Sequence, residues 1–539
     1  MGGDRVTEKV EALARRVCRE AQAVEDANSS ILTRWERNTR LYNLDPSLVS
    51  NPKPKAVPTY AMPIMRQKTN RLVGSVFSSL TSGVSYVQAT NDSVELPVKK
   101  AIQADLTMMA KEGDFESSLY TTLIHTALTN CGVIRTIPEY RVVDGNEYFQ
   151  KFTYDVIRAD QLICYPNDVY TLEEAKTVGH KFSLPVWVIQ QRQAEGIYRD
   201  VDVLPTTYSQ DDQNLGPIKK TQDTEPVQID DGNVDLLSVI TWSDHEGMAQ
   251  RYVMTIVEQT SAVLRIQPWE YEHINYSNFR LTRSESAVIG DDSFGNLLQG
   301  LNMAYNDLMG IAVAGAIITA FPPAAIIGGT LDSQTKEYGA AELLEFPNGG
   351  VAFASIPITF NGQVIPMLLE KIEEMADAVS GISRVSSSQS VPGSTKATTI
   401  NALTEADRQR MDQYVSIAAE GFLKVFQFML DVYEVDYTLI RNRYRDMLQV
   451  EDGEDLIHDY LLDVSGKSVA GNTDVMLQSM QMVLQLAQNP ASGINFQAAT
   501  EAMLQVMPLP VDWKTLQNDP NQIPPQQPML QDEGVQPVA

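Results

Sequence analysis

Residues 293–323 read SFGNLLQGLNMAYNDLMGIAVAGAIITAFPP, and the folding of this stretch decides the architecture of the second half of the chain. Ser293 suits a helix N-cap. Phe294, Leu297, Leu298, Leu301, Ala304, Tyr305, Leu308, Ala312 and Gly315 then follow at helical spacing. Between Asp307 and Asp332 there is no charge, and Leu308 to Ala320 is almost wholly apolar. A membrane span needs about 20 continuous apolar helical residues, and Pro322 and Pro323 stop this run well short of that. A long amphipathic helix leading into a buried helix–turn–strand segment is expected, and no membrane span.

Towards the C-terminus, Gly328-Gly329, Asn348-Gly349-Gly350 and Asn361-Gly362 punctuate short segments that read as a small β-containing unit. A returning helix is expected from Gln363 to Ser380. Its apolar stripe is Ile365, Leu368, Leu369, Ile372, Met375 and Val379, and its opposite face carries Glu370, Glu373, Glu374 and Asp377. Gly381 to Gly393 is loop-like and rich in serine. The longest helix is expected from Thr395 to Glu434, with Ile400, Leu403, Tyr414, Ile417, Phe422, Val425, Phe426, Met429 and Val432 on one side. At about 1.5 Å per residue it spans about 60 Å, and Gly421 is its expected kink point. Asp474–Gln488 and Phe496–Met507 read as a Met- and Gln-rich helical pair. The tail from Pro508 to Ala539 carries seven prolines, a composition that rarely folds alone.

Towards the N-terminus the pattern is mixed. Helices are expected at Val6–Glu25, Ile31–Tyr42, Pro63–Ser79, Leu96–Met109 and Phe115–Thr129, with a short strand near Val84–Ala89. Val133–Val143 and Glu147–Ile157 alternate around Asp144-Gly145, a hairpin signal. A short helix at Thr171–Ala175 precedes a strand near His180–Leu184 and a helix at Val186–Glu195. Gln210–Gly232 reads as an acidic exposed loop, and strands resume at Val234–Trp242, Arg251–Glu258 and Ala262–Gln267. The fold class expected is α+β, mostly α.

The 539 residues carry 69 acids against 42 bases, a net charge of −27. A freely diffusing DNA-binding domain has the opposite sign, because its affinity comes from Lys and Arg neutralising phosphates. Cys18, Cys131 and Cys164 are odd in number and far apart, which argues against a disulfide framework or a zinc site and suits a reducing compartment. Met1–Lys9 lacks the apolar core of a signal peptide, and Val6 stands where myristoylation needs Ser or Thr. A cytoplasmic setting is expected.

Catalytic patterns fail one by one. Gly466-Lys467-Ser468 ends like a phosphate-binding loop, but Leu461 replaces the glycine that lets the backbone curl around phosphates. His245-Glu246 has Ala249 where a zinc helix needs a second histidine, and no serine sits in a G-x-S-x-G elbow. The remaining histidines, His125, His180, His273 and His458, do not cluster. The acids 370, 373, 374 and 377 admit a divalent cation, although a polar helix face explains them as well. No enzyme activity, cofactor or metal is expected.

The order of segments carries a resemblance, and local sequence supports it. Gly381-Ile382-Ser383 followed by Ser394-Thr395-Lys396-Ala397-Thr398-Thr399-Ile400-Asn401-Ala402-Leu403 is similar to the passage by which the portal proteins of tailed bacteriophages enter their longest helix. Val156-Ile157-Arg158-Ala159-Asp160 with Tyr165-Pro166-Asn167-Asp168, Pro268-Trp269-Glu270-Tyr271-Glu272-His273, and Asp463-Val464-Ser465-Gly466 resemble other passages of that family. The resemblance covers nearly the whole chain, with a leaning towards the short-tailed phages.

The resemblance implies a head-to-tail connector in the virion, at the capsid portal vertex, assembled in the host cytoplasm. Residues 1–289 would be the wing, joined by the long helix 397–436. Residues 290–318 and 363–381 would be the stem helices, 319–362 the clip, 382–396 the tunnel loop, 437–507 the crown and 508–539 the tail. It implies a ring of itself, of twelve copies, passing double-stranded DNA without sequence specificity. The other implied partners are the large terminase, a tail adaptor, the major capsid protein and a scaffold protein, with no membrane. The tunnel loop would present Arg384, Ser386, Ser387, Ser388, Gln389, Ser390 and Lys396 to DNA. The clip would pack through Phe321, Leu343, Leu344 and Phe346 and dock the motor through Glu337, Glu342 and Glu345. Residues 290–383 hold eleven acids and two bases, Lys336 and Lys371, so a bore lined by part of that acid would repel DNA on all sides. The alternatives are a capsid scaffold or internal protein without a channel, a membrane-associated protein, and a metal hydrolase.

Overall fold

The computed structural model describes residues 2–48, 61–83, 85–90, 96–143, 146–203, 232–244, 248–283, 288–290, 292–320, 324–327, 343–346, 352–355, 364–381, 397–435 and 460–464. The chain divides into two units, Met1–Gly471 and Asn472–Ala539. The second unit, with the expected helical pair and proline-rich tail, lies outside the described residues, as does most of the expected crown.

Helix α1 runs unbroken over Gly2–Tyr42. Two helices, Val6–Glu25 and Ile31–Tyr42, are expected here, and the gap between them holds Asn28, Ser29 and Ser30, which favour turns over helix interiors. Tertiary contacts override that weak preference. Asn28 is buried and accepts a hydrogen bond from Asn167 Nδ2 at 3.4 Å. Before it, Val10, Leu13, Ala14, Val17 and Ala21 are buried on one face; after it, Trp35 and Leu41 are buried. One helix thus contributes to three separate apolar clusters.

The next elements are α2 (Ile64–Thr81), β1 (Val87–Ala89), α3 (Leu96–Glu112) and α4 (Phe115–Thr129). Strands β2 (Gly132–Val143) and β3 (Asn146–Ile157) pair antiparallel, with Val143 opposite Asn146. The hairpin expected there is present, although residues 144 and 145 themselves lie outside the described ones. Next come β4 (Leu162–Tyr165), β5 (Thr177–Pro185), α5 (Val186–Ala194), β6 (Asn233–Ser243), β7 (Gln250–Val257) and β8 (Val263–Pro268), with a single 3-10 turn at Leu172–Glu174. These five strands form one antiparallel sheet in the order β4-β5-β6-β7-β8. Strand β9 (Tyr276–Phe279) joins β2 and β3 in the order β3-β2-β9. The inner stripe of α1 packs with Leu237, Val239, Tyr252 and Met254 of the five-stranded sheet.

The second half begins with α6 (Phe294–Ala320), which ends immediately before residues 321–323. Short strands β10 (Ala324–Ile327), β11 (Leu343–Phe346) and β12 (Ala352–Ser355) form a sheet in the order β11-β10-β12. Helix α7 (Val364–Ser380) returns, and α8 (Ala397–Val435) is the second longest helix described, after α1. Strand β13 (Leu462–Val464) pairs with β1. The fold is mixed α and β with helix in the majority, as the sequence implies.

The main core joins α2, α3, α4 and α8. Phe115 of α4 meets Phe422 and Phe426 of α8 at 5.6 and 5.7 Å between ring centroids, and Tyr86 closes the group. Helix α8 runs without interruption through Gly421. What needs a glycine there is close approach: a Cβ would stand 2.4 Å from the backbone oxygen of Asn278 in β9.

The contact of α8 with the connection between β8 and β9 carries a titratable pair. The His273 backbone N–H donates to Asp431 Oδ2 at 2.7 Å, and His273 Nδ1 lies 3.0 Å from Oδ1. Hydrogen bonding to Asp431 outweighs partial burial and raises the His273 pKa. A raised folded pKa means the protonated form is favoured in the folded chain. That stabilisation is complete below the unfolded value, about 6.5, and fades as pH rises through the folded one. Thermal unfolding followed from pH 6 upward should therefore show a decline that His273→Gln removes. Parallel profiles for both proteins would exclude the pair as its source.

Candidate functional site: a helix pair with an uncovered apolar face

Helix α6 packs on α7 and on α2, and α7 reaches α2 through one ion pair. Ser293 caps α6 as its sequence implies, its Oγ accepting from the Asn296 N–H at 3.0 Å. The buried side of α6 is less apolar than the sequence suggests. Asn302 and Asn306 lie on it, and both are almost fully buried. Asn302 Oδ1 accepts from the Met65 N–H at 3.1 Å and Asn306 Oδ1 from the Met62 N–H at 2.8 Å. These amide donors open α2, where Pro63 offers no side-chain cap. Two asparagines of one helix therefore cap another. Their spacing of four residues inside an apolar stripe was the available signal. Asn306→Ala should cost about 1–2 kcal/mol, as loss of a helix cap does, read as a lowered urea midpoint; an unchanged midpoint would mean that water replaces the amide.

Helix α7 has three arcs, at about 100° per residue. Ile365, Ala376 and Ser380 are buried, flanked by the half-buried Leu369 and Ile372. Adjoining them is an apolar arc that the chain leaves bare: Val364, Leu368, Met375 and Val379 are 49, 44, 49 and 41% exposed. The acids occupy the remaining side, and they are not equivalent. Asp377 pairs with Lys68 of α2, both largely buried. Glu373 accepts from the Tyr305 hydroxyl at 2.9 Å. Glu374 pairs with Lys371 at 2.6 Å in the open, and Glu370 is exposed. Helix packing thus engages two members of the acidic face and leaves Glu370 and Glu374 towards solvent.

Helix α6 is bare as well. Leu297 and Ile311 are 49 and 51% exposed, and Gly300 and Ala304 on the same side are exposed too. It is long and apolar enough to cross a membrane, and little of its most apolar window is buried within the chain. The expectation of a buried segment is thus not met by a single chain; each of the two helices leaves an apolar side bare.

At its C-terminal end α7 is stopped by Gly381, whose φ is +68°. Arg410, within α8, lies against this turn and donates from Nη1 to the Ala378 carbonyl at 2.9 Å, tying the end of α7 to α8. The expected tunnel-loop residues Arg384, Ser386, Ser387, Ser388, Gln389, Ser390 and Lys396 lie outside the described residues. In the small sheet, Leu343, Leu344, Glu345 and Phe346 run parallel to β10, opposite Ala324, Ala325, Ile326 and Ile327. Phe321, Glu337 and Glu342 lie outside the described residues. Among the described residues no three His, Cys, Asp or Glu side chains converge as a metal site requires.

Residues 85–533 match a family model whose description is phage SU10 portal protein. No curated protein matches the chain.

Proposed function

This chain belongs to the phage SU10 portal protein family, and from that premise we propose that it forms a closed ring, of twelve copies, that conducts double-stranded DNA at one vertex of the capsid. As a bacteriophage portal protein it belongs to a capsid-associated oligomeric assembly, and the proposal concerns how these residues build and use it. The observation that carries it is the bare apolar arc of Val364, Leu368, Met375 and Val379 beside the bare side of α6. Exposed apolar surface of this extent marks an interaction site. A ring uses two different patches of each copy, one meeting the other on the neighbour, and α6 and α7 offer one each. Neighbouring copies, not lipid, are the occupants favoured here.

In this reading α6 and α7 are the stem, β10–β12 the clip, residues 382–396 the tunnel loop and the first 289 residues with α8 the wing. The clip would stand outside the shell and receive the large terminase, then the tail adaptor; the major capsid protein and a scaffold protein would hold the wing. Chemical work would come from the terminase, with the ring itself acting as conduit and docking platform. Glu370 and Glu374 are the α7 acids available to face a bore, where negative charge keeps passing DNA from adhering.

The tunnel loop supplies the test of the conduit. Arg384 and Lys396 flank a serine-rich stretch suited to sequence-blind phosphate contact. Replacing both with glutamine should leave ring assembly intact and reduce the DNA retained in an in vitro packaging assay. Unchanged retention would remove these two residues from the mechanism.

A further inference from the structure

The five-stranded sheet and the β2–β3 hairpin together line a cavity of about 590 Å³. Its floor is set by strand register. His180, Ser238, Thr255 and Arg265 are successive cross-strand neighbours on β5, β6, β7 and β8, so one row of polar side chains crosses one face of the sheet. Arg135 and Asp155 come from the hairpin and Arg192 from α5.

Three guanidinium groups therefore converge in a protein whose net charge is −27. Their partners leave the charge largely unanswered. Arg192 Nη1 donates to the neutral Tyr198 hydroxyl at 2.7 Å, and Arg265 Nε donates to the neutral Gln267 Oε1 at 3.0 Å. Arg135 Nη1 stands 4.0 Å from Asp155 Oδ2, a carboxylate 52% exposed, so the attraction is weak. Arg135 Nε is buried with no hydrogen-bond partner among the described residues. The fourth cation, Lys181, is engaged by Glu25 at 2.7 Å and Glu258 at 2.6 Å.

The neighbouring groups feel that field. Burial, and then Arg135, push the His180 pKa down to about 3, so its ring is neutral around pH 7. Partial desolvation lowers the pKa of Arg265, which remains exposed on one side, with Arg135 and Arg192 adding to the effect against Tyr198. A buried donor without a partner, Arg135 Nε, and mutually repelling cations cost folding free energy unless an anion answers them. Guanidinium groups match the oxygens of phosphate in a fork. The volume falls within the range of about 300–1,000 Å³ typical of small-molecule sites, larger than a bare phosphate needs.

We infer that this cavity binds a phosphate-bearing small molecule of nucleotide size, held by Arg135, Arg192 and Arg265 with His180, Ser238 and Thr255 as neutral polar contacts. The site lies in the first 289 residues and does not depend on the uncovered helices, so it stands or falls separately from ring assembly. Bound there, the ligand would tie the hairpin sheet to the five-stranded sheet.

Calorimetric titration of the full chain with inorganic phosphate, and separately with a nucleoside 5′-monophosphate, tests it. Saturable binding of one monophosphate per chain is expected, weakened about tenfold or more by Arg135→Gln and partly recovered in Arg135→Lys. Arg265→Gln, at an exposed position on the rim, should weaken binding without disturbing the fold, and guards against a folding defect in the first variant. Equal affinity for the two probes would identify phosphate alone as the ligand and overturn the nucleotide-size part of the inference. Tighter binding of the monophosphate supports it. Absence of saturable binding to either probe, or affinities unchanged in both Gln variants, would overturn the site altogether.

Discussion

A chain carrying Leu368→Asp together with Met375→Asp should remain folded and fail to assemble. Both side chains are nearly half exposed in the single chain. Substitution at such positions usually changes folding stability by no more than about 0.5 kcal/mol. In a ring the same positions would be covered by the neighbouring copy, and each interface would bury two unpaired carboxylates. Stripping water from an ionised carboxylate costs several kcal/mol even after relaxation, so each contact would be weakened by orders of magnitude, and a ring multiplies the loss over every interface. Sedimentation or light scattering should report single chains of 59.8 kDa, with circular dichroism unchanged. Leu368→Met, which keeps the surface apolar, should assemble normally. Rings formed by the double Asp variant would mean that α7 faces solvent and that other surfaces hold the copies together.

Gly421→Ala should destabilise the folded chain, although helix propensity predicts the reverse. Within a helix interior alanine is favoured over glycine by about 1 kcal/mol. Here the added methyl would stand 2.4 Å from the Asn278 oxygen and 3.0 Å from its carbonyl carbon. The obstacle is backbone in a paired strand, not the tip of a flexible side chain. Overpacking of this kind costs about 1–3 kcal/mol, and Phe422, Val425 and Phe426 on the same helix are fully buried and leave α8 little room to withdraw. A lowered denaturation midpoint is the expected result. A raised midpoint would show that β9 moves away at little cost.

That glycine illustrates what sequence can and cannot convey. A glycine within a long helical pattern reads as a kink, because the pattern holds no record of a strand some 140 positions earlier that passes against it. Strands β4 and β9 were missed for a related reason: four residues are too few to establish a period of two, and the partner of β9 lies at the start of β2. The long, periodic elements were legible. Helix α4 begins and ends where its apolar spacing does, the hairpin pairs across residues 144 and 145, and α6 stops before its prolines. In α1 a run of turn-favouring residues concealed a continuous helix that three clusters hold in place.

For the helix pair, the amphipathic division of α7 was visible, but not its allocation. Sequence distinguishes apolar from acidic positions; it does not tell which apolar residues meet α6 and which await another copy. Nor does it reveal that Asp377 answers Lys68 more than 300 positions earlier. The arginine cavity was hidden more deeply. Arg135, Arg192 and Arg265 are scattered in the chain, and only the register of β5 through β8 and the placing of the hairpin bring them together.

The central claim is that copies of this chain close into a ring around a channel. Negative-stain electron microscopy of the purified protein in detergent-free buffer, with the mass in solution measured on the same sample, tests it most directly. The account predicts rings with a central hole about as wide as a DNA duplex and a mass near twelve times 59.8 kDa. Solid particles, or a two-fold dimer that buries the α6 and α7 faces without leaving a hole, would contradict it.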